Sequence, residues 1–377
     1  MGDKEGVLRW VPESIRGLRH DYLFLALLAA LVVLTAISPG KIAGYPGLVD
    51  WRTIATLTGL LILTKAVEMS GALHRIGSWL IERTATRRMT ALVLVLVTAV
   101  LSMLVTNDVS LFVMVPLTLS MCRAARMPAT KLVVFEALAV NAGSALTPIG
   151  NPQNLFIWQQ WGNGFGSFVW SMAPLVAMLF AMLIVLTAVS FPATALKVHD
   201  HVDDHVFDRH LLTIAALLYL PFLVLADMHY TTLALAAVLV VFLVVRRDIV
   251  ARIDWGLLIV FVLMFVDLRL LAGLPSVHDF IGGLGLADPK RLYVASALAS
   301  QGISNVPAAI ALAEYSQNWK VIAWGVSVGG FGFILGSLAN LIALRLLGER
   351  RAWITFHLYS GPFFVVAAVL GYLLLRV

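Results

Sequence analysis

A run of polar and helix-breaking residues inside an otherwise apolar stretch of this chain has the composition of a small-ligand site. The run reads Thr147-Pro148-Ile149-Gly150-Asn151-Pro152-Gln153-Asn154. Pro148 and Pro152 each remove a backbone donor and clash with the preceding turn, so the run cannot be continuous helix. Non-helical backbone at membrane depth must be buried in protein or line a wet cavity. The run therefore predicts an unwound substrate or ion site, with a simple proline kink as the alternative.

An internal repeat adds a second segment to this site. Two sets of residues share the same spacing, namely Gly143, Gly150 and Asn154 in the first half and Gly329, Gly336 and Asn340 in the second. A glycine-rich helix by itself is more typical of close helix packing. Because the repeat pairs this segment with the first run, it is also predicted to contribute to the site, through Ser337 and Asn340.

Two polar triplets, Thr106-Asn107-Asp108 and Ser304-Asn305-Val306, occupy matching positions in the two halves. Each lies within an apolar stretch between basic residues that is too short for two crossings of about 20 residues each plus a turn. We therefore predict re-entrant helical hairpins at about 90–122 and 292–319. Helices that begin after the tips would favour an anion at their positive ends, and the side-chain oxygens could bind a cation. The alternative is that these residues only cap helices in tight turns.

Asp108 is the carboxylate that we place near the middle of the membrane. An isolated ionised acid there is costly, so Asp108 must be protonated, paired or bound to a cation. We predict that it is the proton-coupling or cation-binding group, and the alternative is a helix cap. Glu136 is the reserve candidate for coupling. For Glu136 and for four other charged residues near span ends, helix-end pairs or snorkelling at the interface are the favoured interpretation. These four are Lys65, Glu68, Asp267 and Arg269.

The predicted binding residues belong to two hairpin tips and two interrupted helices. They are Thr106, Asn107, Asp108, Thr147, Asn151, Gln153, Asn154, Ser304, Asn305, Ser337 and Asn340.

The elements that must position these residues are those of an all-α polytopic membrane protein. Of 377 residues, 60% are hydrophobic and 13% are charged, whereas globular proteins carry about 25% charged residues. Broken transmembrane helices are predicted at about 131–161 and 321–348. The single cysteine, Cys122, excludes a disulfide framework and multi-cysteine metal sites. The linker from His199 to His205 resembles a metal ligand cluster, but we interpret it as a solvated linker and predict no metal or other cofactor.

The order of the spans predicts two repeats of opposite orientation. The first repeat covers 1–191, a cytoplasmic linker covers 192–210, a connecting span covers 211–226, and the second repeat covers 227–377. An odd number of crossings between the repeats inverts the second, and inverted repeats with interrupted helices are typical of secondary transporters. Basic loops place the N-terminus in the cytoplasm. The net charge of +6 lies in short groups between apolar runs, so a lipid bilayer is expected as a partner and nucleic acid is not.

The segments that carry these motifs resemble the ion transporter superfamily of arsenite permeases, sodium-proton antiporters, and divalent-anion and citrate symporters. The resembling segments are Val105 to Val109, Asn141 to Leu155, Ser304-Asn305 and Asn340. The sequence is most similar to small permeases known only as anion transporters, over essentially the whole chain from Trp51. The resemblance implies an elevator-type transporter of the inner (plasma) membrane, often a homodimer, whose transport domain holds both hairpins.

The hairpin tips depart from that family's pattern. Sodium-coupled carboxylate members carry a Ser-Asn-Thr triplet at each tip, whereas Asp108 and Val306 stand at the third positions here. Val306 cannot offer a hydroxyl group, which disfavours sodium coupling and dicarboxylate recognition and favours proton coupling. The presumed site has no Lys or Arg, so a small oxyanion or a neutral hydroxide such as arsenite fits its polarity at least as well as a highly charged anion.

These observations predict a secondary active transporter of a small anion or metalloid oxyacid, coupled to protons and working by alternating access. The substrate would be a carboxylate, an inorganic oxyanion or arsenite. A sodium (cation)-proton antiporter is the alternative, since an acid lies beside asparagine oxygens. A non-transporting membrane scaffold or receptor is the alternative from another class. No nucleophile elbow, phosphate loop or His-Glu metal motif is present in the sequence, so an enzyme is not predicted.

Overall fold

The computed structural model describes residues 22–81, 84–125, 127–195, 207–349 and 351–375. These residues form helices joined by short connections, and none of them belongs to a strand beyond the isolated bridge Thr86–Ala195. Short 3-10 helices cover Pro39–Gly44 and Ile334–Gly336. The α-helices are α1 (Tyr22–Ile37), α2 (Tyr45–Leu48), α3 (Trp51–Met69), α4 (Ala72–Ile81), α5 (Arg87–Leu104), α6 (Asn107–Ala124), α7 (Thr130–Ser144), α8 (Pro152–Trp161), α9 (Phe165–Ser190), α10 (Arg209–Asp227), α11 (Thr231–Val245), α12 (Arg247–Arg252), α13 (Trp255–Ala272), α14 (Pro275–Gly282), α15 (Pro289–Ile303), α16 (Asn305–Ala313), α17 (Trp319–Gly329), α18 (Leu338–Leu347) and α19 (Ala352–Leu374).

Five helices of the described chain, α5, α9, α10, α13 and α19, are long and apolar enough to cross a membrane. Residues Leu23–Ile37 and Pro39–Leu48 pass the same test only together, and a bend of 118° separates them. The prediction of an all-α, polytopic membrane protein is confirmed.

The chain divides into two compact units that do not follow the two sequence halves. The first unit comprises Met1–Ala66 and Ala215–Gly283, and the second comprises Val67–Ile214 and Leu284–Val377. The unit boundaries fall within α3 and α10. Each unit therefore draws segments from both halves, and the repeat boundaries given above stay a prediction.

The first unit is built around α13, which packs against α1 and α2. In the last turn of α13, the Arg269 guanidinium donates to the Leu48 carbonyl at 2.7 Å. Gly59 of α3 lies so close to the Phe222 ring of α10 that a Cβ at position 59 would overlap the ring. The first unit therefore brings together helices from distant parts of the sequence.

The second unit contains both predicted hairpins and both predicted broken helices. The hairpins are the pairs α5–α6 and α15–α16, and the broken helices are α7–α8 and α17–α18. In each half, the first arm of the hairpin packs along the first part of the broken helix, α5 on α7 and α15 on α17. The second arms cross over to the other half, α6 to α18 and α16 to α8. The same set of helix contacts thus occurs twice.

The repeated glycines mark one of these paired contacts. A Cβ on Gly143 would overlap the Ala99 carbonyl and the Ser102 hydroxyl of α5. A Cβ on Gly329 would overlap Ala297 and Ser300 of α15 in the same way. The equal spacing in the sequence therefore corresponds to equal packing of each broken helix on its own hairpin.

The two hairpins differ in length. Helices α5 and α6 have 18 residues each, or about 27 Å. Helix α5 begins at Arg87, and the Thr86 hydroxyl caps it by accepting from the Met89 amide. Helices α15 and α16 have 15 and 9 residues, about 22 and 13 Å, and α16 is too short to cross about 30 Å of hydrocarbon. The helix lengths thus agree with re-entry for the second hairpin, while re-entry of the first stays a prediction.

Gly143→Ala tests the packing of the first broken helix on its hairpin. The added methyl group meets backbone that cannot rotate away, and we expect a loss of about 1–3 kcal/mol and a lower melting temperature in detergent. Gly166→Ala is the matched control, because Gly166 lies in the first turn of α9 with no atom within 4 Å of an added Cβ. The control should melt at the wild-type temperature or slightly above it. Equal melting of Gly143→Ala and wild type would contradict the close approach of α5 and α7.

Candidate functional site

The first break, residues 145–151, separates α7 from α8 and is held by asparagine side chains. Asn151 caps α8, its Oδ1 accepting from the Asn154 amide at 2.9 Å. Pro152 takes the first position of α8, where a missing N–H removes no helical bond. Asn154 Nδ2 lies 3.1–3.2 Å from three carbonyl oxygens freed where α7 ends. The predicted interruption is therefore present, and its backbone is satisfied by an amide side chain.

The tip of the first hairpin lies directly against this break. The Asn107 amide donates to the Gly150 carbonyl at 2.8 Å. The Thr147 hydroxyl donates to the Met103 carbonyl at 2.7 Å. Two predicted parts of the site, separated in sequence, are thus joined by one backbone hydrogen bond and one side-chain hydrogen bond.

The second break, residues 330–337, is held by Gln301 of α15. Its Nε2 donates to the carbonyls of Gly329 and Phe331 at 2.7 and 2.8 Å, and its Oε1 accepts from the Phe333 amide at 2.8 Å. Gln301 was not among the predicted residues. A single amide residue in an apolar arm, three positions before the predicted tip, was the available signal.

The tip of the second hairpin has a strained backbone. Ser304 has φ 74° and ψ 156°, a region populated almost only by glycine and worth about 1–3 kcal/mol of strain. Two hydrogen bonds hold it, from the Ser304 amide to the Ser300 carbonyl and from the Ala308 amide to the Ser304 carbonyl. Both Ser304 and Asn305 are buried. Such strain is typical of functional positions.

A pair of asparagines connects the two breaks. Asn141, in the last turn of α7, donates from Nδ2 to Oδ1 of Asn340 at 2.8 Å. Asn340 donates in turn to the Gly330 carbonyl at 2.9 Å. A Cβ on Gly330 would lie 3.3 Å from Asn141 Oδ1 and 3.5 Å from Asn305 Nδ2, so the second tip reaches the same place. Asn141 was absent from the predicted residues, although it is a lone amide two positions before a repeated glycine.

Four of the described helices, α6, α8, α16 and α18, begin at these tips and breaks. Side chains of Asn151 and Ser337 cap α8 and α18. Within the described residues, Thr106 and Ser304 form no side-chain cap at α6 and α16. Helix N-termini carry partial positive charge and exposed N–H groups. The arrangement therefore attracts negative charge without any Lys or Arg among the predicted residues.

Several buried oxygens at the site lack a hydrogen-bond partner within the part of the chain that the structure describes. Among predicted residues these are Thr106 Oγ1, Gln153 Oε1 and Asn154 Oδ1. Three further unpaired oxygens lie in helices that adjoin the site, on residues that were not predicted: Ser110 Oγ in α6, Gln159 Oε1 in α8 and Ser327 Oγ in α17. A buried acceptor left unpaired costs about 1–3 kcal/mol. Such oxygens are suited to a bound cation, water or a ligand hydroxyl group.

Two acidic residues, Glu136 and Asp267, have surroundings other than those predicted. Asp108 is half-buried at the first tip, where its amide donates to Asn107 Oδ1 at 2.9 Å. Glu136 is fully buried in α7 and accepts from the Thr118 hydroxyl at 2.5 Å, so snorkelling at an interface is wrong for it. Asp267 of the first unit is 3% exposed, and neither carboxylate oxygen has a partner among described residues. Snorkelling is wrong for Asp267 because its side chain is buried, and a helix-end pair is wrong because it has no partner among the described residues.

No group of three or more metal-ligating side chains occurs among the described residues. The histidine linker from His199 to His205 lies outside them.

A double-mutant cycle on Asn141 and Asn340 tests the connection between the breaks. Each change to alanine removes the hydrogen bond between the two amide groups, and Asn340→Ala also removes the donor to the Gly330 carbonyl. We expect each change to lower the apparent free energy of unfolding by about 1–3 kcal/mol. The loss of unfolding free energy in the double variant should be smaller than the sum of the two single losses, by a coupling energy of about 0.5–3 kcal/mol. The apparent free energy of unfolding is measured by thermal unfolding in one detergent for wild type, the two single variants and the double variant. Strict additivity would show that the two side chains do not interact.

Comparison with known proteins places the chain among transporters. The family described as "Citrate transporter" (CitMHS) matches residues 14–329. "Inner membrane protein YbiR" of Escherichia coli is 41% identical over 96% of this chain and 97% of that protein. "Uncharacterized transporter MJ0456" of Methanocaldococcus jannaschii is 31% identical over 91% of this chain and 94% of its own length. "Putative transporter arsB" of Dictyostelium discoideum is 25% identical over 37% of this chain and 24% of that protein.

These matches confirm the resemblance to the ion transporter superfamily. Together with the apolar helices, they identify an integral, multi-pass membrane transporter that acts as a permease and not as an enzyme. The family match covers most of the sequence, including both hairpins and the first broken helix. The chain therefore belongs to the CitMHS citrate transporter family.

Proposed function

We propose that this protein is a secondary active transporter of a small anion or metalloid oxyacid. The substrate is a carboxylate, an inorganic oxyanion or arsenite. The observation that carries this proposal is the meeting of two hairpin tips and two breaks, where four described helices begin. The description of the family as citrate transporters supports a carboxylate within this substrate range.

The polarity of the site favours a weakly charged substrate with hydroxyl groups. Helix N-termini supply the positive potential, and no basic side chain is among the predicted residues. The unpaired amide oxygens of Gln153 and Asn154 are acceptors and call for hydroxyl donors or a cation, and the Thr106 hydroxyl can accept or donate. A protonated oxyacid supplies both the partial negative charge and the donors.

Alternating access of an elevator type fits the organisation of the second unit. Both hairpins and both broken helices belong to this compact unit, as a transport domain requires. Their contacts occur in matched pairs, which supports two repeats, and we propose that the second is inverted. The first hairpin tip meets its broken helix partway along that helix, which supports re-entry of the hairpin. We further propose a homodimer in the inner membrane with a cytoplasmic N-terminus.

Proton coupling is proposed through Asp108, with Glu136 as the reserve residue. Asp108 is half-buried and lies in the first turn of α6 at the first tip, within reach of a substrate held by the helix N-termini. A cation-proton antiporter remains the second candidate, because the same unpaired oxygens could bind Na⁺. A scaffold or receptor without transport is disfavoured, since it gains nothing from two buried interruptions.

A thermal-shift screen of the purified protein identifies the substrate class. Arsenite, phosphate, sulfate, dicarboxylates, citrate, Na⁺ and Li⁺ are added at about pH 5.5 and about pH 8. A ligand that binds only the folded state adds about 2.7 kcal/mol at 100 times its Kd. We expect one anion or oxyacid to raise the melting temperature, more strongly at low pH. Stabilisation by Na⁺ or Li⁺ alone, stronger at high pH, would favour the antiporter.

Asp108→Asn tests proton coupling in proteoliposomes loaded with the substrate found by that screen. We expect transport to lose its dependence on pH, because the amide cannot exchange a proton, while folding is retained. Asp279→Asn is the matched control, since Asp279 is exposed on α14 of the first unit. The control should keep the wild-type pH profile. A normal pH profile in Asp108→Asn would remove Asp108 from the coupling mechanism.

A further inference from the structure

A buried contact joins the second arm of the first hairpin to the first broken helix. It consists of Glu136 on α7 and Thr118 on α6, with 2.5 Å between Thr118 Oγ1 and Glu136 Oε1. Neither side chain is exposed to solvent. The other carboxylate oxygen, Oε2, has no hydrogen-bond partner among the described residues.

No nearby cation compensates this carboxyl group within the described chain. Lys131 lies on the same helix, but its ammonium group contacts the Ser190 carbonyl at 2.5 Å and the rings of Phe191 and Tyr359. Arg88 of α5 donates to the Phe191 carbonyl at 2.9 Å. The helices packed against α7 are α5, α6, α9, α18 and α19. Their other charged or titratable side chains are Arg87, Asp108, Cys122, Arg123, Arg345, His357, Tyr359 and Tyr372.

Most of these groups are exposed or contact residues other than Glu136. Arg87, Arg123 and Arg345 are exposed. His357 accepts from the Ile334 amide at 3.3 Å and lies 2.7 Å from the Trp353 carbonyl. Cys122 lies one turn after Thr118 on α6 and supplies no positive charge. An ionised Glu136 would therefore be a buried charge with one hydroxyl donor and no ion pair, which is strongly unfavourable.

We infer that Glu136 binds a proton in this conformation and that this proton keeps α6 closed against α7. The inference rests on the proposed function for its role in transport, since it adds a second proton-binding group to the coupling mechanism. Loss of the proton leaves a bare carboxylate in an apolar contact, and separation of the two helices relieves the cost by admitting water.

The geometry of α6 connects this contact to the candidate site. Thr118 follows Asn107 by eleven positions, so the contact lies about 16 Å along α6 from the first tip. Pro116 lies inside α6 between them and removes one backbone hydrogen bond. The segment from the tip to Pro116 can therefore change its direction when the contact at Thr118 opens.

The single cysteine of the chain is a natural reporter of this contact. Cys122 lies one turn after Thr118 on the same face of α6 and is 3% exposed. While α6 stays on α7, a thiol reagent cannot reach Cys122. Opening of the contact exposes it.

The test is the rate at which an uncharged maleimide labels Cys122 in the detergent-purified protein between about pH 5.5 and about pH 8.5. Each rate is divided by the rate for the same protein denatured in SDS at the same pH, which removes the effect of thiol ionisation. We expect this ratio to rise with pH in wild type, by up to about tenfold per pH unit if one proton is released on opening. In Glu136→Gln, which stays neutral, the ratio should remain low at every pH.

Two further variants make the result specific. Thr118→Val removes the hydroxyl donor and should raise the ratio even at low pH. Glu349→Gln is the matched control, because Glu349 accepts a hydrogen bond from Thr130 at an exposed position near the start of α7. It should behave as wild type. Should Glu136→Gln fail to fold, the wild-type series and Thr118→Val still decide the matter.

A ratio independent of pH in wild type would overturn the inference, as would the same rise in Glu136→Gln. The labelling needs no substrate, so its outcome is separate from that of the proposed function. A pH-dependent ratio without transport of any anion would leave the proton site standing and remove the transport proposal. Transport together with a labelling ratio that does not change with pH would support the transport proposal and overturn the inference about Glu136.

Discussion

The constraint on which this structure depends is that interrupted backbone inside an apolar protein must still find hydrogen-bond partners. Each break frees carbonyl groups that no neighbouring turn can satisfy. Asn154, Asn340 and Gln301 supply the missing donors from their amide groups. The first tip packs against its break through a backbone hydrogen bond, from the Asn107 amide to the Gly150 carbonyl. The site is therefore a consequence of how two helices are interrupted without loss of hydrogen bonding.

The two halves solve this problem with different residues. The first break uses two prolines and the capping residue Asn151, and its hairpin tip has ordinary extended backbone at Thr106, with φ −69°. The second break uses glycines and an amide from the hairpin arm, and its tip concentrates strain at Ser304. A strained residue persists only while its surroundings hold it. The second tip is thus the one whose conformation depends more on its neighbours.

The sequence predicted the parts of the site that local covalent structure determines. Pro148 and Pro152 disfavour a helix that continues through the run, and the glycine spacing records a close approach that any larger residue would block. Asn141 and Gln301 were missed because a lone amide in an apolar helix has no pattern of its own, and its importance comes from partners far along the chain. The burial of Glu136 and Asp267 was misjudged for a related reason. Which face of a helix points inward is set by packing, and charge near a span end does not reveal it.

The amide side chains that hold the breaks have a consequence for how the protein responds to its surroundings. Asparagine and glutamine carry no ionisable proton in the range of pH that a cell experiences. The bonds from Asn141 to Asn340 and from Gln301 to the second break therefore keep the same strength in acidic and alkaline media, and salt hardly screens them. These amide hydrogen bonds are therefore retained when other groups of the protein bind or release protons. A response of the molecule to acidity must then originate outside these amide bonds, in titratable side chains such as the half-buried Asp108 and the buried Glu136.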